Sequence, residues 1–518
     1  MGYSSWRPKL IAPGVESIGR GTVMGMRIRR AAPLAMTLVV ALTLSAACSD
    51  GGNHQQRAGS VDPPSSAPPS SALPATTVPP VTAAPSTTAA PTATTAAPAA
   101  ALSPADDWLT YHHDIGRSGV AGDQAPLGAV KQTWTSPALD GKVYAQPLIA
   151  GDTVIVATEG NSVYALARTT GAVVWRAALG APVAGKSLPC GNIDPSGITG
   201  TPAIDAGTGT VDVVAFLADG PHHELFALDL ATGAVRWHRP IDPPGLSPKV
   251  EQERAAATVS GGRIFVPYGG LYGDCGAYKG AVVSSAADGS GNLAAYIVPT
   301  SREAGIWAPG GAAVDDHGHV WVATGNSESN SNFDYGNAVV HLDPALSAVD
   351  YFAPTNWAAL NRSDTDLGSA SPVLLPDGRV FAIGKEGIGF LLDQAHLGHE
   401  GGQRFSAKVC AGGYGSAAVA GGLVYVPCVD GLVALRMGAD RFDVAWRSPS
   451  VSTAAPVVAA GAVWAVDSKG TLTAYDPATG VPRFTAPLGP VTRFGSPAVA
   501  RGLLVAATGN QVVGFTLR

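Results

Sequence analysis

One short element recurs through most of this 518-residue chain, and internal repetition restricts the possible folds more than any other feature of the sequence. The element is a small residue, usually a proline, an apolar pair and then a tight turn. The clearest copies are Ala145-Gln146-Pro147-Leu148-Ile149, Gly200-Thr201-Pro202-Ala203-Ile204, Ala370-Ser371-Pro372-Val373-Leu374, Ala454-Ala455-Pro456-Val457-Val458 and Gly495-Ser496-Pro497-Ala498-Val499. Variants occur near Ala255, Gly310 and Gly415. The chain is therefore built from repeated units of local structure.

Short β-rich runs follow each copy of the element. The second run of each unit covers 153–158, 211–217, 263–268, 319–324, 379–384, 423–427, 462–467 and 503–508. Most units continue with a third run, a turn and an aromatic fourth run, as in Thr170-Gly171-Ala172-Val173-Val174-Trp175. Eight units of four short strands, at a spacing of roughly 40–60 residues, are typical of propeller blades. The sequence predicts an all-β, eight-bladed β-propeller of four-stranded antiparallel blades over 106–518.

The eighth unit ends with the chain after only three strands. Residues 132–135, upstream of the first blade, can supply the fourth strand, so that pairing of the N- and C-terminal strands closes the ring. A proline in the first strand fits an innermost strand, because an edge strand tolerates a missing N–H. The alternative is a two-domain β protein with coincidental turns.

The turn and the aromatic strand carry a family resemblance. The pattern Asp/Ala-x-x-Thr-Gly-x-x-x-Trp, as in the segment from Asp229 to Trp237, resembles the tryptophan-docking repeat of pyrroloquinoline quinone-type β-propellers. We expect Trp134, Trp175, Trp237 and Trp446 to pack between blades. The superfamily contains quinoprotein alcohol dehydrogenases and non-catalytic scaffolds, including the lipoprotein of the bacterial outer-membrane barrel-assembly machinery. The resemblance therefore implies a fold and leaves the function open.

The N-terminus has the organisation of an export signal. Basic residues up to Arg30 precede an apolar run over 34–44 and the small residues Ser45-Ala46-Ala47. That run is too short to span a bilayer comfortably, so residues 1–47 are predicted to be a signal peptide. Cys48 resembles the lipidated cysteine of a bacterial lipobox, which implies a lipid-anchored protein at the outer face of the cytoplasmic membrane or in the cell wall. The alternative is ordinary cleavage after Ala47, which releases a soluble secreted protein.

Composition separates a tether from the repeat array. Residues 48–105 are rich in Ala, Pro, Ser and Thr and cannot bury enough surface to fold, so they are predicted to be a disordered tether. The whole chain has a net charge of −6, and removal of 1–47 leaves 27 basic and 38 acidic residues, a net charge of −11. Nucleic acid is excluded as a partner because phosphate binding requires a basic surface. We expect a monomer.

Four cysteines lie in the repeat array. An even number in an exported chain predicts two disulfides, with three possible connectivities. Cys190 and Cys275 fall in long loops of one predicted face, whereas Cys410 and Cys428 flank the first two strands of the sixth blade. We therefore expect the pairs Cys190–Cys275 and Cys410–Cys428, with four buried free thiols as the alternative. No Cys-x-x-Cys-His segment occurs, which excludes attached c-type haem.

The long loops are predicted to share one face of the propeller. They cover 179–199, 241–254, 269–280, 326–337 and 353–368. All join either strand 2 to strand 3 or strand 4 to the next strand 1, and both kinds of loop meet at the same face. Insertions confined to one face of a repeat protein usually mark its binding surface. The aromatic residues of these loops are candidates for contacting a partner: Tyr272, Tyr278, Phe333, Tyr335 and Trp357.

The resemblance also implies candidate residues for a dehydrogenase site. Asn326 lies in a Thr-Gly-Asn segment whose asparagine binds calcium in quinoprotein dehydrogenases, and Asp364 and Asp366 lie where those enzymes carry their catalytic aspartate. The chain has no adjacent cysteines to stack on a quinone and no convincing match for the calcium-binding glutamate. We favour the simpler interpretation that Asn326 forms a turn and that the two aspartates cap their own loop.

Two further groups of residues are weaker metal candidates. The oxygen-rich stretch 327–334 could surround Ca²⁺ but lacks the spaced acidic pattern of a known calcium loop. His222-His223-Glu224 could bind a transition metal, but adjacent side chains on a strand point to opposite sides, which disfavours joint chelation.

Three functions remain open from the sequence. The favoured hypothesis is a non-catalytic, membrane-tethered propeller that binds an envelope protein or glycan through its long-loop face and needs no cofactor. The first alternative is an alcohol or sugar dehydrogenase that uses pyrroloquinoline quinone with Ca²⁺. The second alternative is a carbohydrate-binding propeller.

Overall fold

The computed structural model describes residues 102–122, 125–449 and 451–518. The predicted signal peptide, Cys48 and almost all of the predicted tether lie outside these residues. The described residues form eight antiparallel blades, which confirms the all-β, eight-bladed propeller. The exceptions to β structure include one short helix, α1 (Trp357–Arg362), and two 3₁₀ turns at Gly185–Ser187 and Leu367–Ser369. No helix among the described residues is long and apolar enough to cross a membrane.

The first four blades follow a strand that belongs to the last one. That strand is β1 (Val130–Thr135). Blade 1 contains β2 (Leu148–Ala150), β3 (Thr153–Thr158), β4 (Ser162–Ala167) and β5 (Val173–Ala178). Blade 2 contains β6 (Ala203–Asp205), β7 (Thr210–Leu217), β8 (His222–Asp229) and β9 (Val235–Pro240). Blade 3 contains β10 (Glu251–Gln252), β11 (Thr258–Ser260), β12 (Arg263–Gly270), β13 (Ala281–Ala286) and β14 (Ala294–Ile297). Blade 4 contains β15 (Ala313–Val314), β16 (Val320–Ala323), β17 (Val339–Leu342) and β18 (Ala348–Ala353).

The remaining blades repeat this plan. Blade 5 contains β19 (Val373–Leu375), β20 (Arg379–Ile383), β21 (Ile388–Asp393) and β23 (Phe405–Lys408), while the intervening β22 (His399–Glu400) pairs with β18 of blade 4. Blade 6 contains β24 (Ala418–Ala420), β25 (Leu423–Cys428), β26 (Gly431–Met437) and β27 (Phe442–Arg447). Blade 7 contains β28 (Val457–Ala459), β29 (Ala462–Val466), β30 (Thr471–Tyr475) and β31 (Pro482–Pro487). Blade 8 contains β32 (Ala498–Ala500), β33 (Leu503–Thr508) and β34 (Gln511–Leu517).

The two ends of the propeller close the ring as the sequence predicts. β1 pairs antiparallel with β34 and becomes the outermost strand of blade 8, with Val130 opposite Leu517. The backbone N–H of Arg518 also donates to the carbonyl oxygen of Ala129 at 3.0 Å. The blade that completes the fold is therefore assembled from residues almost 400 positions apart in the chain.

A tryptophan on one blade packs against a glycine on the next, which explains the recurring Thr-Gly…Trp pattern. A β-carbon on Gly171 would lie 2.5 Å from the Trp134 ring, and one on Gly233 would lie 2.5 Å from the Trp175 ring. Both glycines have a φ near +70°, a conformation that other residues rarely adopt. Trp237 and Trp446 meet Gly289 and Gly480 in the same way, so the predicted packing between blades is confirmed.

The repeated prolines lie one position earlier than expected. Pro147 and Pro202 immediately precede β2 and β6 rather than lying inside them, and the prolines before β19, β28 and β32 do the same. At that position the missing N–H removes no ladder hydrogen bond, because pairing begins at the following residue. The proline thus marks the start of the innermost strand.

The segment 102–122 crosses the central channel. Trp108 bridges to Ile149 of blade 1, and Val120 bridges to Val458 of blade 7. Between them Arg117 is fully buried and donates to the Thr258 hydroxyl of blade 3 at 2.5 Å. Backbone hydrogen bonds join the same segment to the innermost strands of blades 2, 4 and 6. The chain therefore fills part of its own channel with residues that precede the first blade.

Both expected disulfides are present, and they close loops of very different length. Cys190 pairs with Cys275 across 85 positions, and Cys410 pairs with Cys428 across 18 positions. The loop-entropy account predicts a larger loss of unfolding free energy on reduction of the bond that closes the longer loop, about 4.5 kcal/mol against about 3 kcal/mol. The measurement is urea unfolding, oxidised and reduced, of two variants that each keep one bond: C410A/C428A and C190A/C275A. An equal or larger loss for the shorter loop would contradict this account.

Candidate functional site

A cavity of about 340 Å³ opens at the mouth of the channel, on the face that carries the long loops. Its lining comes from both predicted classes of loop. Asn326 and Lys385 follow the second strand of their blades, whereas Arg254, Trp307 and Asp366 precede the innermost strand of theirs. The two classes of loop that were predicted to share one face therefore line a single cavity.

The structure brings the three predicted site residues together in this cavity. Asp366 is buried, and its Oδ1 accepts the backbone N–H of Asn326 at 2.8 Å. Its Oδ2 lies 2.8 Å from Nζ of Lys385, which is also 2.7 Å from Oδ1 of Asp364. Asp366 thus caps the backbone of a neighbouring loop rather than its own. Lys385 was not expected from the sequence, because an isolated lysine in a short loop carries no distinguishing pattern.

Burial and ion pairing act in opposite directions on these charges. Burial raises the pKa of Asp366, and the nearby Lys385 limits the rise. For Lys385, burial lowers the pKa, but the charge of Asp366 outweighs it and the pKa rises to about 12. Lys385 is therefore a cation throughout the physiological range, and its charge is shared between the carboxylates of Asp364 and Asp366.

The arrangement does not fit a calcium-bound quinone. Both carboxylate oxygens of Asp366 are engaged, and an ammonium group lies within 2.8 Å of one of them. The side-chain amide of Asn326 donates toward Oε2 of Glu303 at 3.3 Å. Among the His, Cys, Asp and Glu side chains of the described ranges, one closely spaced group of three occurs, Cys410, Cys428 and Asp430, and its cysteines form a disulfide. Ca²⁺ takes six to eight oxygen ligands, and here the Asp366 oxygens are already paired with a backbone N–H and an ammonium group.

A second group in the cavity combines cations with aromatic rings. The Arg254 guanidinium lies 6.0 Å from the centre of the Trp307 ring and 5.2 Å from that of Phe494. The Arg493 guanidinium lies 4.9 Å from the Phe494 ring and 5.5 Å from the Tyr414 ring. Sequence reasoning missed this group because it considered only aromatics of the longest loops. Their position in the repeat could have revealed them, because the two arginines and the three aromatic residues all lie shortly before the innermost strand of a blade.

The five aromatic contact candidates differ in accessibility. Tyr272 is 63% exposed at the rim of the cavity, whereas Tyr278 is 4% exposed and donates its hydroxyl to Asp274. Trp357 is 8% exposed and packs against Phe333, which in turn contacts Tyr335. A partner that approaches this face would meet Tyr272 first. Contact of any of the five with a partner stays a prediction.

The weaker metal candidates are satisfied within the fold. His223 is buried against Phe216 and pairs with Asp242, while His222 faces the other side of the strand toward Glu224. This is the alternation that the strand geometry predicts. In the stretch 327–334, the Asp334 carboxylate accepts hydrogen bonds from Ser327 and Thr300. These side chains therefore serve the local structure.

A comparison with protein families assigns the chain. A family model described as outer membrane protein assembly factor BamB matches residues 127–343 and 394–518, which is more than half of the sequence. The chain belongs to this family. Membership in the BamB family agrees with the quinone-type propeller repeats recognised in the sequence. A comparison with curated proteins found no significant match.

Solved structures share the fold at low sequence identity. Quinohemoprotein alcohol dehydrogenase ADHIIG from Pseudomonas putida HK5 is 14% identical, with a TM-score of 0.64 over 80% of each chain. A europium-containing methanol dehydrogenase is also 14% identical, with a TM-score of 0.62 over 80% of this chain and 98% of that one. BamB from Moraxella catarrhalis is 16% identical, with a TM-score of 0.52 over 76% and 98%. Enzymes and an assembly factor therefore share this architecture, and the likeness shows the fold alone.

Proposed function

We propose that this protein is a non-catalytic, extracytoplasmic propeller that binds a partner protein or another envelope ligand through its long-loop face. The observation that carries the proposal is the pairing of Asp364 and Asp366 with Lys385. A dehydrogenase would need a free carboxylate and a calcium ligand set at this place. Membership in a family described as an assembly factor supports the same conclusion.

The proposal includes delivery to the outside of the cell. Residues 1–47 act as the signal peptide, Cys48 carries the lipid anchor, and residues 48–105 tether the propeller to the membrane. A flexible coil of this length spans roughly 45 Å, which allows the long-loop face to reach partners away from the bilayer surface. The protein acts as a monomer in this proposal.

A quinone-dependent alcohol or sugar dehydrogenase is the second candidate. It is favoured by one observation, namely that Asn326, Asp364 and Asp366 line the same cavity. It requires that the Lys385 ion pairs open and that a cation and a quinone replace them. Carbohydrate binding by the same face is an outcome of the partner test rather than a separate proposal.

Partner capture tests the binding face. The full chain is crosslinked on intact cells, and the products of the unchanged protein are compared with those of a Y272A/E328K variant. Both side chains are exposed on the long-loop face, so we expect the crosslinked species to be lost. The matched control is Asp316→Lys, an exposed charge in the turn that joins β15 to β16 at the opposite face. Unchanged capture by Y272A/E328K, or equal loss in the control, would contradict the proposed face.

Titration with quinone tests the second candidate function, the dehydrogenase. Absorbance and thermal unfolding are followed with pyrroloquinoline quinone, with and without Ca²⁺. We expect no Ca²⁺-dependent stabilisation, because the Asp366 oxygens are already engaged. Saturable, Ca²⁺-dependent stabilisation together with dye-linked alcohol oxidation would replace the binding proposal with the second candidate.

A further inference from the structure

Two arginines in the mouth cavity form no close ion pair with a described carboxylate. Neither Arg254 nor Arg493 takes part in a hydrogen bond or an ion pair with any of the residues that the structure describes. Most other arginines of the propeller are paired; for example, Arg176 lies 2.6 Å from an oxygen of Asp140, and Arg302 lies 2.9 Å from an oxygen of Glu303. Each guanidinium offers five N–H donors, and both groups line the same cavity, Arg254 partly buried and Arg493 exposed to solvent.

The two cations also share one aromatic neighbour. Both guanidinium groups lie within 5.2 Å of the centre of the Phe494 ring, one at 5.2 Å and the other at 4.9 Å. Two like charges at such a place repel each other unless an anion joins them. Burial lowers the pKa of Arg254 to about 10; the charge of Arg493 contributes to this decrease, while Tyr144 and Glu159 oppose it. An anion bound to both arginines would offset their repulsion and accept hydrogen bonds in place of water.

We propose that the mouth cavity binds a carboxylate side chain from an acidic peptide segment of the partner protein, held between Arg254 and Arg493. The inference rests on the proposed function and names the chemistry of its ligand. A planar guanidinium can donate two parallel hydrogen bonds to a carboxylate, and two such groups can share its two oxygens.

The size and the lining of the cavity favour a short peptide segment over a folded domain as the ligand. The cavity of about 340 Å³ accommodates one or two side chains. Its walls include Trp307, Tyr414 and Phe494, which suit an apolar or aromatic residue next to the acidic one, and the aspartates Asp364 and Asp366 on the same wall are paired with Lys385. The whole chain has a net charge of −6, so it repels a generally acidic partner surface. A single acidic residue can still bind at the local pair of cations.

Peptide binding to the purified full chain tests this inference. The probe is a fluorescent twelve-residue peptide that contains Asp-Phe-Glu, and its matched control replaces these residues by Asn-Phe-Gln. We expect the acidic peptide to bind with an affinity that falls as salt increases, and the amide peptide to bind at least tenfold more weakly. Equal binding of the two peptides would overturn the inference.

Matched variants locate the site. R254Q and R493Q should each weaken the acidic peptide at least tenfold, while R254K should show an intermediate loss because it keeps the charge without the planar pair of donors. Arg447→Gln, an exposed arginine of β27, is the control and should bind normally. Thermal unfolding of each variant separates loss of binding from loss of the fold. A well-folded R254Q/R493Q protein that still binds the acidic peptide would refute the site.

Two further outcomes separate this inference from the function on which it rests. If R254Q/R493Q retains the crosslinked partner on cells while Y272A/E328K loses it, the carboxylate site is wrong and the binding face stands. If pyrroloquinoline quinone without Ca²⁺ binds and the acidic peptide does not, the arginines hold the carboxylates of a small molecule, and the peptide assignment is overturned.

Discussion

Replacement of Trp134 by alanine is expected to open the propeller at its closure. Trp134 lies on β1, is 7% exposed and packs on Gly171 of blade 1, and its indole N–H donates to the carbonyl oxygen of Arg168 at 2.9 Å. Removal of a buried tryptophan costs about 3–5 kcal/mol of unfolding free energy. Here the same side chain also connects the strand that completes blade 8 with the first blade. We therefore expect lower stability and faster amide hydrogen exchange in β1 and β34.

A matched variant separates closure from packing. Trp446 is 8% exposed, packs on Gly480 and donates to the carbonyl oxygen of Pro477 at 2.8 Å, but it connects blades 6 and 7, which follow each other in the chain. W446A should lose a similar unfolding free energy without faster exchange in β1. Equal exchange in β1 for the two variants would show that ring closure does not depend on Trp134. Urea unfolding and hydrogen exchange followed by mass spectrometry provide both readouts.

Much of this fold can be predicted because the repeated unit fixes its own local structure. The Gly171 turn needs a positive φ and no β-carbon, and the tryptophan of the preceding blade fills the space. Such requirements are visible in a single repeat and then recur along the chain. The second strands at 153–158 and 503–508 were located to the residue for this reason. The closure of the ring by β1 was predicted because the eighth unit contains only three strands, and no local sequence pattern indicated it.

Features that depend on a single position were not predictable in the same way. Nothing in the sequence of 102–122 indicates that Arg117 is fully buried in the channel, because two of its partners, Ala257 and Thr258, are contributed by blade 3. The helix α1 lies inside a loop that was recognised only by its length. These elements are defined by tertiary contacts, which a pattern of local residues does not encode.

The candidate site was predictable in part. Asn326, Asp364 and Asp366 were found through a resemblance, and the structure brings them into one cavity. Their chemistry depends on Lys385, which the sequence did not distinguish from other lysines. Arg254 and Arg493 are more than 200 positions apart, and only the ring geometry places both beside Phe494. The resemblance therefore identified Asn326, Asp364 and Asp366, whereas neither the pairing of the two aspartates with Lys385 nor the proximity of the two arginines could be inferred from the sequence.

Buried carboxyl groups lead to the second large effect, a loss of stability as pH rises. Burial raises the pKa of Glu251 to about 8, and it raises the pKa of Glu159 and of Asp212 to about 7. Between pH 5 and pH 8 the folded protein therefore binds more protons than the unfolded chain, whose carboxyl groups titrate near pH 4. These carboxyl groups make the free energy of unfolding fall with increasing pH, whereas His112, whose pKa burial lowers to about 3, opposes the decrease below about pH 6.5. We expect greatest stability near pH 5.

Glu251 allows this dependence to be assigned to one group. Its Oε1 accepts the backbone N–H of Lys279 at 3.1 Å, whereas its Oε2 is buried without a partner among the described residues. Glutamine keeps the shape and the accepting oxygen but cannot ionise. E251Q should match the unchanged protein at pH 5 and exceed its unfolding free energy at pH 8 by about 2–4 kcal/mol, since one pKa unit corresponds to about 1.4 kcal/mol.

The control for this prediction is a glutamate that remains in water. The Glu328 side chain is 57% exposed on the long-loop face, so E328Q should leave the pH dependence of unfolding unchanged. Urea unfolding of the three proteins from pH 4 to pH 9 gives the comparison. If E251Q shows the same slope as the unchanged protein, Glu251 ionises in the folded state at an ordinary pH. The loss of stability would then come from the other buried carboxyl groups, Glu159 and Asp212. The variants E159Q and D212N would test each of them in turn.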